Sequence, residues 1–423
     1  MMTLLAWMCV QQLDAAIYNV RDFGAKGDGK NIDSEAINKA ISHAAANGGG
    51  TVYVPAGQYA CYSIRLASHI NLYLEQGATI VAEYPTDSIG YDAAEPNEHN
   101  AYQDFGHSHW KNSLIWGIGL EDITISGPGT IFGKGLTREG SRRKGVGNKA
   151  ISLKECRNVT LSDVSMLQCG HFALLATGVD NMTISNVKVD SNRDGFDIDC
   201  CKNVRIYGCS VNTPWDDAIV LKASYGLGYF KDTENVTISD CFVSGYDRTS
   251  MLSAKWALNE PQAPDHGGRT GRIKIGTESS GGFKNIAITN CIFEHCRGLA
   301  LESVDGGQVE DVVISNITMR DIMNAGIFLR LGSRMRISNI NAYGVDSRYS
   351  SIISGVPGHM IEDVTLSNIS LYYKGGLSPK DASNPVPEAE KEYPEPWMFG
   401  IVPARGFYVR HARNVVFDNV NFY

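Results

Sequence analysis

Two short phrases hold residues whose types and spacing suit chemistry. Asn192-Arg193-Asp194-Gly195 precedes one apolar stretch, and Trp215-Asp216-Asp217 precedes the next. Three carboxylates brought to neighbouring positions repel one another, and that repulsion keeps one of them protonated near neutral pH. Such a set suits hydrolysis of a glycosidic bond, in which one acid protonates the leaving oxygen and another activates water. A calcium site, or a set of turn caps, would use the same residue types. Asp199, Lys222, Glu302 and Arg330 fall in one outward column of the same strands, where Asp199 can meet Lys222 and Glu302 can meet Arg330. A charge ladder on a solvated sheet face is the alternative for those four.

The elements that must position these residues form a repeat. Asn158-Val-Thr-Leu-Ser-Asp, Asn181-Met-Thr-Ile-Ser-Asn, Asn203-Val-Arg-Ile-Tyr-Gly, Asn235-Val-Thr-Ile-Ser-Asp, Asn285-Ile-Ala-Ile-Thr-Asn and Asp311-Val-Val-Ile-Ser-Asn share one pattern, which returns at Asp363 and Asn414. β-branched residues with period two predict strands, and Asn or Asp at fixed turn positions tolerates left-handed backbone. A period in the low twenties with no helix per repeat predicts a solenoid of stacked rungs. The fold class is therefore all-β: a single-stranded right-handed parallel β-helix. The Asn-x-Ser/Thr triplets at Asn158, Asn181, Asn235, Asn316 and Asn368 read as turn chemistry of the repeat rather than as glycosylation sites.

A solenoid needs a capped end. Asp33 to Ala46 carries Ala36, Ile37, Ala40, Ile41 and Ala44 at helical spacing, with Asp33 or Ser34 as N-cap, and reads as an N-terminal capping helix. Stacking the strands predicts one inward column of Phe172, Phe196, Ile219, Ile273, Leu299 and Ile327, and a second of Leu174, Ile198, Leu221, Ile275, Leu301 and Leu329. Inserted loops are expected at 83–112, 133–147, 225–234, 246–270 and 374–402. One elongated domain covers residues 18–423. Residues 1–17, with the apolar run Thr3–Val10, read as a signal remnant or a disordered tail, and Tyr423 falls inside a repeat-like segment.

The chain has 423 residues, 43% hydrophobic and 20% charged, with 44 glycines and a formal charge of -8. That composition excludes a disordered chain, a collagen and a polytopic membrane protein. The acidic balance excludes a basic nucleic-acid face, and an anionic substrate would need local cations. Cys209, Cys241 and Cys291 recur at one position of the repeat and read as small core residues rather than disulfides.

At this point a resemblance enters. Asn192-x-Asp194-Gly195 followed by Asp216-Asp217 on the next turn resembles glycoside hydrolase family 28, the polygalacturonase and rhamnogalacturonan hydrolase group with a pectin lyase-like β-helix. Tyr18-Asn-Val-Arg-Asp-Phe-Gly-Ala-Lys-Gly-Asp-Gly, Val54-Pro-Ala-Gly-Gln-Tyr and Leu74-Glu-Gln-Gly-Ala are also similar to that family. The resemblance implies an inverting hydrolase of α-linked, galacturonic-acid-containing polysaccharide that uses no metal or other cofactor. It implies Asp216 as general acid, Asp194 and Asp217 as the groups that hold and activate water, and Asn192 as a positioning residue. Inversion implies a wide carboxylate separation.

Two family motifs are broken. Where Gly-His-Gly belongs, the chain has Arg269-Thr270-Gly271-Arg272; where Arg-Ile-Lys belongs, it has Ala300 and Glu302. A literal Arg272-Ile273-Lys274 lies one rung earlier, so the uronate-binding charges are expected there, with Lys222 nearby. His171 is expected either to replace the missing histidine or to serve as a turn residue. Tyr225, Tyr229 and Trp215 are expected to stack on sugars or to anchor loops. Glu302 would repel a second uronate, which points to branched or alternating pectin or to exo cleavage. The expected partner is pectic polysaccharide, with no nucleic acid and no membrane span, acting as a secreted or periplasmic monomer. A polysaccharide lyase, a non-catalytic glycan-binding β-helix and a structural adhesin are the other readings.

Overall fold

The computed structural model describes residues 16–100, 106–140, 143–260 and 268–423. The expected leader segment Thr3–Val10 lies outside them. Every named pair of neighbouring strands runs parallel, and among the described residues the ladder climbs from Ile17–Asn19 to Ala412–Phe422. One sheet of 11 strands, from Ile64–Arg65 to Phe407–Arg410, forms one wall. The rest of each rung belongs to a second, 21-stranded sheet. The result is a parallel β-helix, whose interior is a continuous stack of Val, Ile, Leu, Phe and Cys side chains. The Cys209, Cys241 and Cys291 thiols are free and buried in that stack.

The turns explain the Asn and Asp of the repeat. Asn158, Asn181, Asn203, Asn235 and Asn285 all sit at φ between 53° and 57°. Each donates its side-chain amide to the Asn or Asp one rung below, Asn235 to Asn203 at 3.0 Å and Asn285 to Asn235 at 2.8 Å. Asn316 and Asn368 belong to a second such ladder, at 3.1 and 3.2 Å. Asn235→Ala keeps the left-handed backbone but loses both bonds and the Asn tolerance for that conformation. It should cost about 2–4 kcal/mol, seen as a lower thermal midpoint.

The capping helix spans Ser34–Ala46 and buries Ile37, Ala40, Ile41 and Ala44 against the first rungs. Asp33 is the N-cap residue, one of the two expected, but without the capping bond. Its carboxylate accepts from the amides of Lys26 and Gly27, while Ser34 Oγ accepts from the Tyr62 amide. Both side chains tie the helix to flanking loops instead.

The inward columns hold with one correction. Phe196, Ile219 and Ile273 stack in register, as do Ile198, Leu221 and Ile275. Below them, however, Leu174 faces Phe196 and Phe172 faces Asp194. Phe172 therefore stands at a strand entry and packs outside the helix on Trp110 and Leu175. The charge pairs also differ. Asp199 accepts from the amide and hydroxyl of Ser224, while Lys222, its register partner, turns to Asp197 and Glu278. Arg330 donates to Ser354 Oγ and the carbonyls of Gly355 and Ala389, leaving Glu302 to Lys274.

Candidate functional site

The three aspartates meet because two adjacent parallel strands begin side by side. Asp194 opens the strand Asp194–Asp199, and Asp216-Asp217 lead into Ile219–Ala223. Phe196 pairs with Ile219, and the Gly195 amide donates to the Asp217 carbonyl at 3.0 Å. Gly195 is required here, since a Cβ would lie 2.3 Å from the Ala218 carbonyl oxygen. One carboxylate oxygen from each of Asp194, Asp216 and Asp217 lies within 4.8 Å of the other two. That is about one rung spacing between the nearest oxygens.

These residues form the floor of a cleft of about 380 Å³, with Lys222, Lys274, Thr277, Glu278, Tyr393 and Trp397 among the walls. Its size falls in the roughly 300–1,000 Å³ range of small-molecule sites. A larger concavity, about 690 Å³, follows the turns near Arg330, His359 and Glu390, but the only three-carboxylate cluster among the described residues is in the smaller cleft.

Each aspartate has its own surroundings. Arg193 Nε donates to Asp216 at 2.9 Å and lies 3.6 Å from Asp194. Arg272 Nε donates to Asp217 at 2.9 Å, with Lys274 at 3.7 Å from the other oxygen. Burial, followed by the charge of Asp216, pushes the Asp194 carboxyl well above the usual range, against the pull of Lys222 and Arg193. A calcium ion wants six to eight oxygens. Here guanidinium groups already occupy oxygens of Asp216 and Asp217 and would face the ion with like charge.

The other expected residues divide. Lys222 and Lys274 line the cleft. Burial opposes the charge of Lys222, but Asp197, Glu278 and Asp194 outweigh it and hold the ammonium well above its ordinary range. Asn192 is half-buried beside the cluster, where its Oδ1 accepts from Ser191 Oγ at 3.3 Å. His171 sits 2.9 Å from Arg193 through Nδ1, so it supports the arginine that holds Asp216. Arg272 is buried between Asp217 and Glu395, which makes it an anchor rather than a uronate ligand. Tyr225 is not among the cleft residues; its ring packs on His99 and Phe230. Trp215 lies under Arg138 and Arg248.

Glu302 is fully buried, 3.1 Å from Lys274. Burial raises its carboxyl from 4.5 to about 7, against the pull of Lys274 and Arg272. Between those two values the folded chain keeps a proton that the unfolded chain has released, so stability falls as pH rises across that window. Glu302→Gln should flatten this slope in thermal midpoints measured against pH, and parallel curves would contradict it.

Several site residues escaped the sequence. Arg193 sat inside the aspartate phrase itself, so its position was a usable signal. His107 comes from the first long insertion and reaches Asp197 at 3.2 Å. Glu278 lies in the irregular end of the strand Ile273–Ser279 and meets Lys222 at 3.2 Å. The last insertion folds back as a strap. Its Tyr393 hydroxyl accepts from Lys274 at 3.2 Å, its Glu395 receives Arg272, Arg297 and Asn324, and Trp397 stacks on Arg297 at 4.8 Å. Phe399 and Val402 then cover Ala300, Phe328 and Ile352 on the outer face of the sheet.

Comparison with known proteins agrees with this architecture. The family model described as right handed beta helix region matches residues 127–339, half of the chain. The chain belongs to the right-handed β-helix family. A second model, rhamnogalacturonase A/epimerase, pectate lyase-like, matches residues 17–84 of this β-helix protein. A probable polygalacturonase of Vitis vinifera is 25% identical over 319 residues, 71% of this chain and 60% of the relative. An exo-poly-alpha-D-galacturonosidase of Dickeya chrysanthemi is 24% identical over 353 residues, 74% of this chain and 57% of the relative. The β-helix protein thus spans about three fifths of the length of these curated relatives. The crystal structure of a hyperthermoactive exopolygalacturonase from Thermotoga maritima superposes with a TM-score of 0.69 at 19% identity, covering 96% of this chain and 93% of that one. These relatives bear out the resemblance to glycoside hydrolase family 28. No helix among the described residues is long and apolar enough to cross a membrane.

Proposed function

We propose that this β-helix protein is a glycoside hydrolase that cleaves an α-glycosidic bond in pectic polysaccharide containing galacturonic acid. The observation that carries the reading is the cluster of Asp194, Asp216 and Asp217 at the floor of a sugar-sized cleft, with Asp194 pushed toward its protonated form. The polygalacturonase names of the relatives support the same class of reaction.

The roles follow from charge. Asp194 holds its proton beside the charge of Asp216. Asp216 is the most exposed of the three and delivers the proton to the leaving oxygen. Asp217, beside Arg272 and Lys274, holds and activates the water. The protonated state of Asp194 moves it from the water-activating role toward the acid pair. Since the nearest oxygens lie within 4.8 Å, a second stereochemical reading has one aspartate attack the sugar directly. The anomer released first, followed by NMR, separates the two: β product from an α bond means inversion, and α product means retention. A polymer too large to enter a cell puts the reaction outside the cytoplasm, secreted or periplasmic.

The test is product analysis on homogalacturonan and on rhamnogalacturonan. Saturated fragments are expected from one of the two. Unsaturated ends would mean a lyase, and no product from either would leave a glycan-binding protein.

A further inference from the structure

Three cations line the cleft among the described residues, and each already faces two carboxylates of the chain. Arg193 lies 2.9 Å from Asp216 and 3.6 Å from Asp194. Lys222 lies 3.1 Å from Asp197 and 3.2 Å from Glu278. Lys274 lies 3.1 Å from Glu302 and 3.7 Å from Asp217. The six carboxylates are all different. Asp217 is also held by Arg272, itself bound to Glu395, so among the described residues every cation at the cleft already has a carboxylate of the chain as partner. His107 belongs to the same set: its Nε2 lies 3.2 Å from Asp197 and meets Lys222.

We infer that the sugar unit seated in this cleft is uncharged, a neutral hexosyl or 6-deoxyhexosyl unit rather than a uronyl unit. The inference rests on the hydrolase reading and names the unit that reading leaves open. A uronate would have to take a cation from a carboxylate that is fixed in place and cannot leave. It would also approach Glu278, which stands at the cleft wall and stays ionised: burial works against its charge, yet Lys222 and His107 hold its carboxyl at about 2. A neutral ring needs only hydroxyl partners, and Asp194, Asp216, Asp217 and Glu278 supply acceptors while Tyr393 and Thr277 add hydroxyl groups. Uronyl units of a pectic chain then sit outside this cleft, next to the neutral unit that it holds. This fits an alternating or branched polymer.

The experiment uses aryl α-glycosides that differ at C6: 4-nitrophenyl α-D-galactopyranoside, its C6 carboxylate counterpart, and 4-nitrophenyl α-L-rhamnopyranoside. At about pH 8, above the titration of Glu302, a neutral glycoside should be cleaved at least about tenfold faster than the galacturonide. Preferred cleavage of the galacturonide, lost in Asp217→Asn, would overturn this inference and leave the hydrolase reading standing. If no aryl glycoside is cleaved, calorimetry of galactose, rhamnose and galacturonate with Asp216→Asn decides. Tighter galacturonate binding overturns the inference, and binding of none of the three overturns the hydrolase reading with it. Glu302→Gln keeps the side-chain volume and removes the nearer of the two carboxylates that face Lys274. It should shift the ratio toward the uronyl sugar by about tenfold, and an unchanged ratio would contradict the electrostatic account.

Discussion

Asp216→Asn should lower kcat on the polysaccharide by about 10²–10⁴-fold with little change in KM, the range over which a positioned general acid contributes. The side chain keeps its shape, and its amide oxygen can still accept from the Asp217 amide, but its NH2 group cannot accept from Arg193. It loses that bond together with the ability to deliver a proton. The loss should therefore shrink on an aryl glycoside, whose leaving oxygen needs little protonation. A second readout is independent of rate. The charge of Asp216 is the second cause, after burial, that raises Asp194. Removing that charge should move the titration of Asp194 downward, seen by NMR of the labelled carboxyl. Unchanged kcat, with an unchanged thermal midpoint as control for folding, would remove Asp216 from the mechanism.

Glu395→Ala should have the largest effect on the fold of the cleft. Glu395 is buried and receives Arg272 at 2.5 Å, Arg297 at 2.8 Å and Asn324 at 3.1 Å. Burial opposes its charge, yet Arg272 and Arg297 draw its carboxyl down to about 2. Removing it leaves two guanidinium groups buried without their shared partner, a loss of about 3–5 kcal/mol. The expected result is a clear fall in the thermal midpoint together with loss of activity, because Arg272 also holds Asp217. The linkage has a pH sign. A carboxylate drawn below its ordinary value stabilises the fold above that value, and the contribution disappears as pH falls from about 4.5 toward about 2. The thermal midpoint should therefore fall less between about pH 4.5 and about pH 2 in the variant than in the wild type. Equal midpoints for the two proteins would mean that the strap is not anchored through Glu395.

Local pattern made much of this legible beforehand. Val, Ile and Thr alternating behind an Asn at each turn define a strand and its left-handed corner within a few residues, so the β-helix and its Asn ladders follow from short segments. The three aspartates were legible for the same reason, since each stands at a fixed offset from the strand it precedes. The pairing of charges was not. Lys222 was expected on Asp199 and Glu302 on Arg330, one step up the column in each case. The chain instead set Lys222 on Asp197 and Glu278, and Glu302 on Lys274. Long side chains reach across and along a column, and the choice depends on burial and on which charges the loops bring.

The sequence by itself determined the solenoid, its capping helix, the places of its insertions and the aspartate cluster, because each is written in residues close together in the chain. Only the tertiary structure decided what closes the cleft and which of its charges are already neutralised. Tyr393 and Glu395 meet Lys274 and Arg272 across more than a hundred residues, and His107 reaches Lys222 over a similar span. An irregular insertion has no periodicity to reveal where it lands; its course is settled by the apolar surface it covers and the buried ion pairs it completes.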